Sequence, residues 1–129
     1  MPPIQPERAR SVLSRVDPAR LRSGWPVGLR DGALLALAAA GLNAEEICGL
    51  HAASITMNRG SLLVTIRRHG VIWHAELPID LGARLLAWLT ERRLWADPAP
   101  VITGPRGPLS ATAIHQILFR YRQQRRARR

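Results

Sequence analysis

The stretch RDGALLALAAAGLNAEEICGL, residues 30–50, decides the fold because it contains two consecutive helices with their start and stop signals. Residues 29–42 are mostly alanine and leucine, which favour a helix, with Asp31 as the predicted N-terminal cap and Gly41 as the predicted stop. Asn43, followed three residues later by Glu46, forms a capping-box pattern and predicts the start of a second helix. Because the first helix is apolar on all sides, we expect it at the centre of the fold.

The middle of the chain changes from helical to strand spacing. Residues 61–66 (SLLVTI) and 71–77 (VIWHAEL) are rich in β-branched and apolar side chains, and residues 67–70 (RRHG) between them are typical of a turn. The pattern predicts a β-hairpin that ends at Pro78, since proline cannot donate to a strand ladder. An earlier turn, predicted at residues 58–60 (NRG), would allow a further short strand near residues 54–56 to pair with this hairpin.

Apolar residues return to helical spacing on both sides of this hairpin. We expect helices at residues 7–16 and 81–95, a loop at 103–108, and a last helix that is capped by Ser110 and buries Tyr121. Together these elements predict an α+β fold that is mostly helical with a small three-stranded antiparallel sheet.

The expected organisation has three parts. Residues 1–28 form an N-terminal proline-rich segment and linker helix, residues 29–124 form the main domain, and residues 125–129 (RRARR) form a basic tail.

The charge of the chain favours a polyanionic partner. All 19 basic residues are arginines, against 9 acidic residues, and the formal net charge is +10. Arginine makes forked contacts with phosphate, and nucleic acid is the commonest polyanion that proteins bind. The alternative is an inert basic surface in an arginine-rich proteome. The absence of lysine indicates a GC-rich coding bias, which favours a bacterial source.

Other features of the sequence point to the cytoplasm. Cys48 is the single cysteine, which excludes an internal disulfide and is typical of a reducing compartment. The most apolar run, residues 33–42, is too short to span a membrane, and the first residues (MPPIQP) lack a secretion signal. We therefore expect a cytoplasmic protein without a membrane partner.

No cofactor or metal is expected. The four histidines lack the spacing of metal ligands, and no glycine-rich loop follows a strand. Glu46 is predicted to cap a helix and to pair with a nearby arginine, not to act as an acid or base. Trp73, Trp88 and Trp95 lie on apolar faces and are predicted to be core residues.

The order of these elements resembles the first two thirds of the catalytic domain of tyrosine recombinases (phage integrases). In that family a core helix ends in Thr-Gly-Leu-Arg, a glutamate follows after two further residues, and a three-stranded sheet comes next. Residues 30–35 (RDGALL) resemble the start of that helix, and residues 41–50 (GLNAEEICGL) resemble the motif at its end. The hairpin with its closing residues 77–79 (LPI), the helix after it and the loop at residues 107–110 (GPLS) follow in the family's order. The resemblance covers residues 29–124.

The departures from the family pattern concern the catalytic positions. The family's first catalytic arginine falls on Asn43, which carries no charge and cannot form a forked contact with a phosphate. The family's hairpin lysine falls near Gly70, and the neighbouring arginines are poor proton donors. The later His-x-x-Arg box and the nucleophilic tyrosine would follow Arg129, and Tyr121 matches a packing position of the family. We therefore expect no catalytic residues and no enzymatic activity.

The resemblance also assigns two basic regions to a DNA interface. One is the hairpin turn with Arg59 expected nearby, and the other is the last helix with the tail. The predicted DNA-contacting residues are Arg59, Arg67, Arg68, His69, Ser110, Arg120, Arg122, Arg125 and Arg126. The alternative is a solvated charged face with a basic tail.

Three hypotheses on function remain open at this point. The first is a non-catalytic DNA-binding protein derived from an integrase, acting as an accessory or regulatory factor in DNA recombination or integration. The second is an interaction module that covers its exposed apolar face by forming a homodimer or by binding another protein. The third is a partial recombinase completed by an active partner, which would also have to replace the arginine missing at Asn43.

Overall fold

Five helices and two small sheets make up the computed structural model, in which residues 3–93 and 100–124 are described. The predicted α+β fold with a three-stranded antiparallel sheet is confirmed. In chain order the elements are α1 (Pro6–Leu13), α2 (Val27–Ala39), α3 (Ala44–Cys48), β1 (Ile55–Asn58), β2 (Ser61–Arg68), β3 (Val71–Leu77), α4 (Ile79–Arg92), β4 (Thr103–Gly104), β5 (Gly107–Pro108) and α5 (Ala111–Arg122).

Helix α2 lies at the centre of the core, as its composition predicts. Residues 33–38 are each at most 2% exposed, although they cover more than one full helical turn. Both α1 and α4 pack against α2, and α1 contributes Ala9 and Val12 to the same hydrophobic cluster. The N-terminal helix is therefore packed onto the core that α2 organises.

The predicted start of α2 was wrong. The helix begins at Val27, and Asp31 is not its cap but lies one turn inside it, with only 3% of its surface exposed. The carboxylate of Asp31 is satisfied by the side chains of its neighbour Arg30 and of the distant Tyr121, so it does not need the free backbone amides of a helix end.

The end of α2 follows the glycine signal in the sequence. Gly41 has a φ of +100°, which a residue with a side chain rarely adopts. The Gly41 amide donates to Ala38 and the Leu42 amide donates to Leu37, at 3.0 and 3.2 Å. This pair of bonds is a Schellman motif, which satisfies carbonyls that the helix leaves free and turns the chain towards α3.

The sheet has the order β1-β2-β3 with antiparallel neighbours. Its two turns are tight, because Arg59 and Gly60 in one, and His69 and Gly70 in the other, all have positive φ. Such type I′ turns match the twist of the flanking strands. The predicted hairpin is confirmed, with a shorter turn than residues 67–70, since β2 continues to Arg68.

Strand β3 forms an edge of the sheet and exposes apolar side chains. Val71, Ile72 and Trp73 are 57%, 57% and 53% exposed. The prediction that Trp73 is a core residue was therefore wrong, whereas Trp88 is fully buried as predicted. Trp73 pairs with Ile66 towards the turn end of the hairpin, while Leu77 at the other end of β3 is fully buried. Trp95 lies outside the described residues.

The segment before α5 is more regular than the predicted loop at residues 103–108. Strands β4 and β5 pair as a small ribbon, with Thr103 opposite Pro108 and Gly104 opposite Gly107. Strands of two residues are too short to give a sequence period, so pattern alone could not find them.

Candidate functional site

The turn of the β2–β3 hairpin presents two of the predicted DNA-contacting residues to solvent. Arg67 and His69 are both exposed. The Arg67 guanidinium donates a hydrogen bond of 3.3 Å to the Gly70 carbonyl, which holds the side chain close to the turn. Because both turn residues have positive φ, the hairpin end is a tight structure with an arginine and a histidine on its surface.

The third basic residue of this hairpin, Arg68, is partly exposed, and its guanidinium is bound to groups of the protein. Its Nε and Nη2 donate to the two carboxylate oxygens of Glu46, both at 2.8 Å, and Nη2 also donates to the Gly41 carbonyl at 3.0 Å. Glu46 in turn accepts from the Asn43 backbone amide, while the Asn43 side chain accepts from the Glu46 amide. The predicted capping box and the predicted pairing of Glu46 with an arginine are both confirmed.

The Arg68–Glu46 pair joins the hairpin to α3. The Glu46 side chain is only 8% exposed and that of Arg68 is 37% exposed. The hydrogen bond from Arg68 lowers the pKa of the Glu46 carboxyl below its ordinary value, and the same bond raises the pKa of Arg68. The bonds to Glu46 fix the position of the hairpin relative to α3. Because the charges of Arg68 and Glu46 offset each other, Arg68 attracts an external phosphate less strongly than a free arginine would.

Helix α5 carries the other predicted residues on different sides. The Ser110 side chain caps the helix by accepting from the Ala113 amide at 3.1 Å, as predicted. Arg120 is exposed, whereas Arg122 is partly buried with its guanidinium 6.0 Å from the centre of the Phe119 ring. Two positions along a helix correspond to a rotation of roughly 200°, so Arg120 and Arg122 do not share one face.

Arg59 is not near the other basic residues of the sheet, contrary to expectation. It lies in the β1–β2 turn, at the opposite end of β2 from His69. β2 is 8 residues long, so the two turns are roughly 25 Å apart along the strand direction. Arg125 and Arg126 lie outside the described residues.

Two adjoining grooves connect the hairpin end with the start of α5. The first, of about 370 Å³, lies between Arg67, His69 and α3. The second, of about 360 Å³, lies between α3 and α5 and includes His115 and Gln116. Glu45 lines both grooves, so they form one surface, which we call the hairpin–α5 strip.

A buried polar cluster, which the sequence patterns did not predict, lies between α2 and α5. Asp31 accepts from Arg30 Nε at 2.5 Å through one oxygen, and from the Tyr121 hydroxyl at 2.5 Å through the other. Arg20 also contacts Asp31 and the Tyr121 oxygen, at 3.3 and 3.4 Å. Arg30 donates in addition to the Thr103 carbonyl at 3.2 Å. The cluster thus ties α2 to the loop before it, to α5 and to the β4–β5 ribbon.

The environment of Tyr121 changes its acidity. Burial, followed by the hydrogen bond to the Asp31 carboxylate, raises the pKa of Tyr121 to about 12. The phenol is therefore protonated at neutral pH and acts as a donor inside the fold. Tyr121 is a buried packing residue, as predicted. The sequence signal for this cluster was the pair Arg30-Asp31 inside an otherwise apolar helix, because buried charges require partners.

The positions that carry catalysis in the resembled family have other tasks here. The Asn43 side chain is used in the capping box, and Gly70 forms the hairpin turn. Within residues 3–93 and 100–124, no three His, Cys, Asp or Glu side chains are placed to hold a metal ion. None of the described helices is both long and apolar enough to span a membrane.

Comparisons with protein families and with curated proteins identified no relative of this chain. No protein-family model matches the chain, and no curated protein matches it. The resemblance to tyrosine recombinases therefore rests on the residues quoted from the sequence.

Proposed function

We propose that this chain is a non-catalytic DNA-binding protein that contacts duplex DNA through the hairpin–α5 strip. The observation that carries the proposal is the strip itself, which has Arg67 and His69 exposed at one end and leads to Arg120 one turn beyond Gln116 at the other. Exposed arginines along a continuous groove suit contacts with a phosphate backbone.

Each carboxylate that lines the strip is offset by an arginine. Two carboxylates line it in the described part of the chain, and Arg68 neutralises one of them, that of Glu46. Glu45 is the remaining carboxylate, and the Arg67 guanidinium offsets its charge. Because the whole chain has 19 arginines and 9 acidic residues, its long-range field attracts a polyanion to the protein.

The absence of catalysis is part of the proposal. Cleavage in the resembled family needs an arginine at Asn43 to stabilise charge on the phosphate, and a neutral amide used as a helix cap does not supply it. The phenol of Tyr121 is buried, donates a hydrogen bond to Asp31 and is protonated at neutral pH, so it is a poor nucleophile. We propose that the protein acts in the bacterial cytoplasm as an accessory or regulatory factor beside an active recombinase.

The salt dependence of DNA binding tests the interface. Fluorescence anisotropy with a labelled duplex should show weak sequence preference and an affinity that falls steeply with salt. If on the order of four to six phosphates are neutralised, the slope of log affinity against log salt is roughly −4 to −5. Arg67→Ala should bring this slope closer to zero by about 1, since one phosphate contact is lost.

Arg93→Asn is the matched control, because it removes the same charge from another part of the surface. Arg93 lines a groove with Leu29 and Leu86 that has no lining residue in common with the strip, as far as the structure is described. Asn tolerates the left-handed conformation of Arg93. The proposal fails if duplex DNA is not bound at low salt, or if both variants change the slope equally.

A suicide DNA substrate tests the non-catalytic part. We expect no protein–DNA adduct on a denaturing gel, with or without an active recombinase present. An adduct that disappears in Tyr121→Phe would show that the chain is a partial recombinase.

A second candidate function, self-association through β3, is favoured by its exposed apolar edge. Val71, Ile72 and Trp73 lie next to each other on a strand that has a partner on one side only. Two copies can pair such edges about a two-fold axis. Light scattering should then give twice 14.3 kDa for the wild type and the monomer mass for Ile72→Lys. A wild-type monomer at high concentration would exclude this candidate.

A further inference from the structure

A pocket of about 400 Å³ lies between the start of α2, the loop before α2, and α5. Its volume is within the range of small-molecule sites. Arg20 and Arg22 come from the loop, Arg30 from α2, and Arg120 from α5. Four guanidinium groups thus surround one cavity.

The single carboxylate that lines this pocket is already satisfied. Asp31 receives hydrogen bonds from Arg30 and Arg20 and from a phenol, through both of its oxygens. Among the residues that the structure describes, the side chains of Arg22 and Arg120 have no hydrogen-bond partner. The pocket therefore has two guanidinium groups whose charge is not balanced within the fold.

The arginines of the loop are held in place by backbone contacts. The Gly28 amide donates to the Arg20 carbonyl at 3.0 Å, which fixes the loop against the first turn of α2. Arg22 and Trp25 exchange two backbone hydrogen bonds, of 2.9 and 3.0 Å, around a tight turn. A loop held at both points loses less entropy when a ligand binds than a free loop would.

The pocket also has an apolar wall beside its charged groups. Val27, Leu109, Ala113 and Ile117 line it. A ligand with an anionic head and an apolar or aromatic body would use both parts of the surface.

We propose that this pocket binds a small phosphate monoester, with the phosphate between Arg22 and Arg120 and the organic group on the apolar wall. A phosphate monoester carries a charge of about −1.5 to −2 at neutral pH, which matches two unpaired guanidinium groups. A monocarboxylate carries one negative charge and would leave the charge of one of the two guanidinium groups unbalanced. Arginine also presents donors in a fork that fits phosphate oxygens.

Phosphate binding in this pocket does not require the proposed DNA interface. The pocket shares Gln116 with the strip, and Arg120 lines the pocket and lies one turn beyond the strip on α5. Arg22 lies in the pocket alone, so its replacement separates the two sites.

Isothermal titration with phenyl phosphate tests the proposal on the full chain. We expect saturable binding of one molecule, tighter than that of inorganic phosphate, because the phenyl group adds contact with the apolar wall. Arg22→Gln and Arg120→Gln should each weaken phenyl phosphate binding about tenfold or more, as expected for a lost charge-assisted hydrogen bond. Both arginines are exposed, so unchanged thermal melting will show that the variants fold.

Arg93→Asn is the control, and it should not change phenyl phosphate binding. The proposal is overturned if binding does not saturate, if Arg93→Asn weakens it as much as Arg22→Gln does, or if benzoate binds as tightly as phenyl phosphate. The first two results indicate a diffuse charge effect, and the third indicates a site without preference for phosphate.

Two further probes identify the source of the phosphate monoester. A nucleoside monophosphate represents a free ligand, and a short single-stranded oligonucleotide with a 5′-phosphate represents a nucleic-acid end. If the 5′-phosphate raises oligonucleotide affinity over the 5′-hydroxyl form and Arg22→Gln abolishes the gain, the pocket takes a DNA or RNA end. If only the monophosphate binding depends on Arg22, the site takes a free metabolite.

Discussion

The Tyr121 hydroxyl donates a hydrogen bond of 2.5 Å to Asp31 Oδ2, and these two residues are 90 positions apart in the chain. The bond joins the last described helix to the central one, and both partners are buried. It therefore links the stability of α5 to the charge buried in α2.

Removing this donor should destabilise the fold. Tyr121→Phe removes a hydrogen-bond donor from one oxygen of a buried carboxylate. We therefore expect the free energy of unfolding, measured in urea, to fall by about 1–3 kcal/mol. A double-mutant cycle with Asp31→Asn provides the control. If the two changes add without coupling, the bond does not contribute as described.

Stability should also fall in strongly alkaline solution because of the same phenol. Its pKa is raised from 10.0 to about 12 in the folded chain, so the contribution is present below pH 10 and is lost as the pH rises towards 12. A shift of this size corresponds to about 2–3 kcal/mol. The chain contains no lysine and one tyrosine, so few other side chains titrate in this window. Between pH 9 and 12, the free energy of unfolding in urea should fall in the wild type and should not fall in Tyr121→Phe. Parallel plots of unfolding free energy against pH for the two proteins would contradict this prediction.

Gly28→Ala should disturb the loop that carries Arg20. A Cβ atom at position 28 would lie 2.1 Å from the Asp17 carbonyl oxygen and 3.0 Å from the Arg20 amide nitrogen, both backbone atoms. Relieving this overlap requires the loop to move, and overpacking of this kind costs about 1–3 kcal/mol. The measurement is the free energy of unfolding.

Gly49→Ala is the matched control for Gly28→Ala. Gly49 has an ordinary φ of −85°, and a Cβ there would come no closer than 3.7 Å to the Glu45 carbonyl oxygen. Its replacement should be neutral or slightly stabilising. Equal losses at both positions would mean that close approach is not the cause.

The Arg68–Glu46 pair should contribute to stability only while Glu46 is ionised. Arg68→Gln should cost about 1 kcal/mol at pH 7, a small value because Arg68 is partly exposed and screened by solvent. The pKa of Glu46 is lowered in the fold, so this contribution is present above the ordinary value of 4.5 and is lost as the pH falls below it. The wild-type and Arg68→Gln unfolding curves should therefore converge in acid.

Arg10→Gln is the control for that pair, because Arg10 makes an ion pair with Asp80 in which both side chains are more than half exposed. It should change the unfolding midpoint very little at either pH. A difference between wild type and Arg68→Gln that persists below pH 3 would show that packing, and not the ion pair, is responsible.

Local signals in the sequence predicted the features that depend on neighbouring residues. Gly41 ends α2, Asn43 and Glu46 form a capping box, and Ser110 caps α5, because each signal acts within about one helical turn. The change from helical to strand spacing identified the hairpin for the same reason.

Features that depend on distant residues were not predicted. Asp31 resembled a helix cap because aspartate favours caps, while its actual partners Arg20 and Tyr121 come from other segments. Trp73 lies in an apolar run, yet its strand is at the edge of the sheet, and strand order cannot be obtained from local pattern. Arg59 and Arg67 are close in sequence, but β2 extends between their turns and holds them apart.

The burial of α2 on all sides also has a consequence for hydrogen exchange. Amides in the middle of a helix packed on every side reach solvent only when the whole domain opens. The slowest-exchanging amides of the chain should therefore be those of residues 33–38, and their rates should report the global free energy of unfolding. Amides on the free side of β3 should exchange through local opening, and a partner that covers this edge would slow their exchange without changing that of α2.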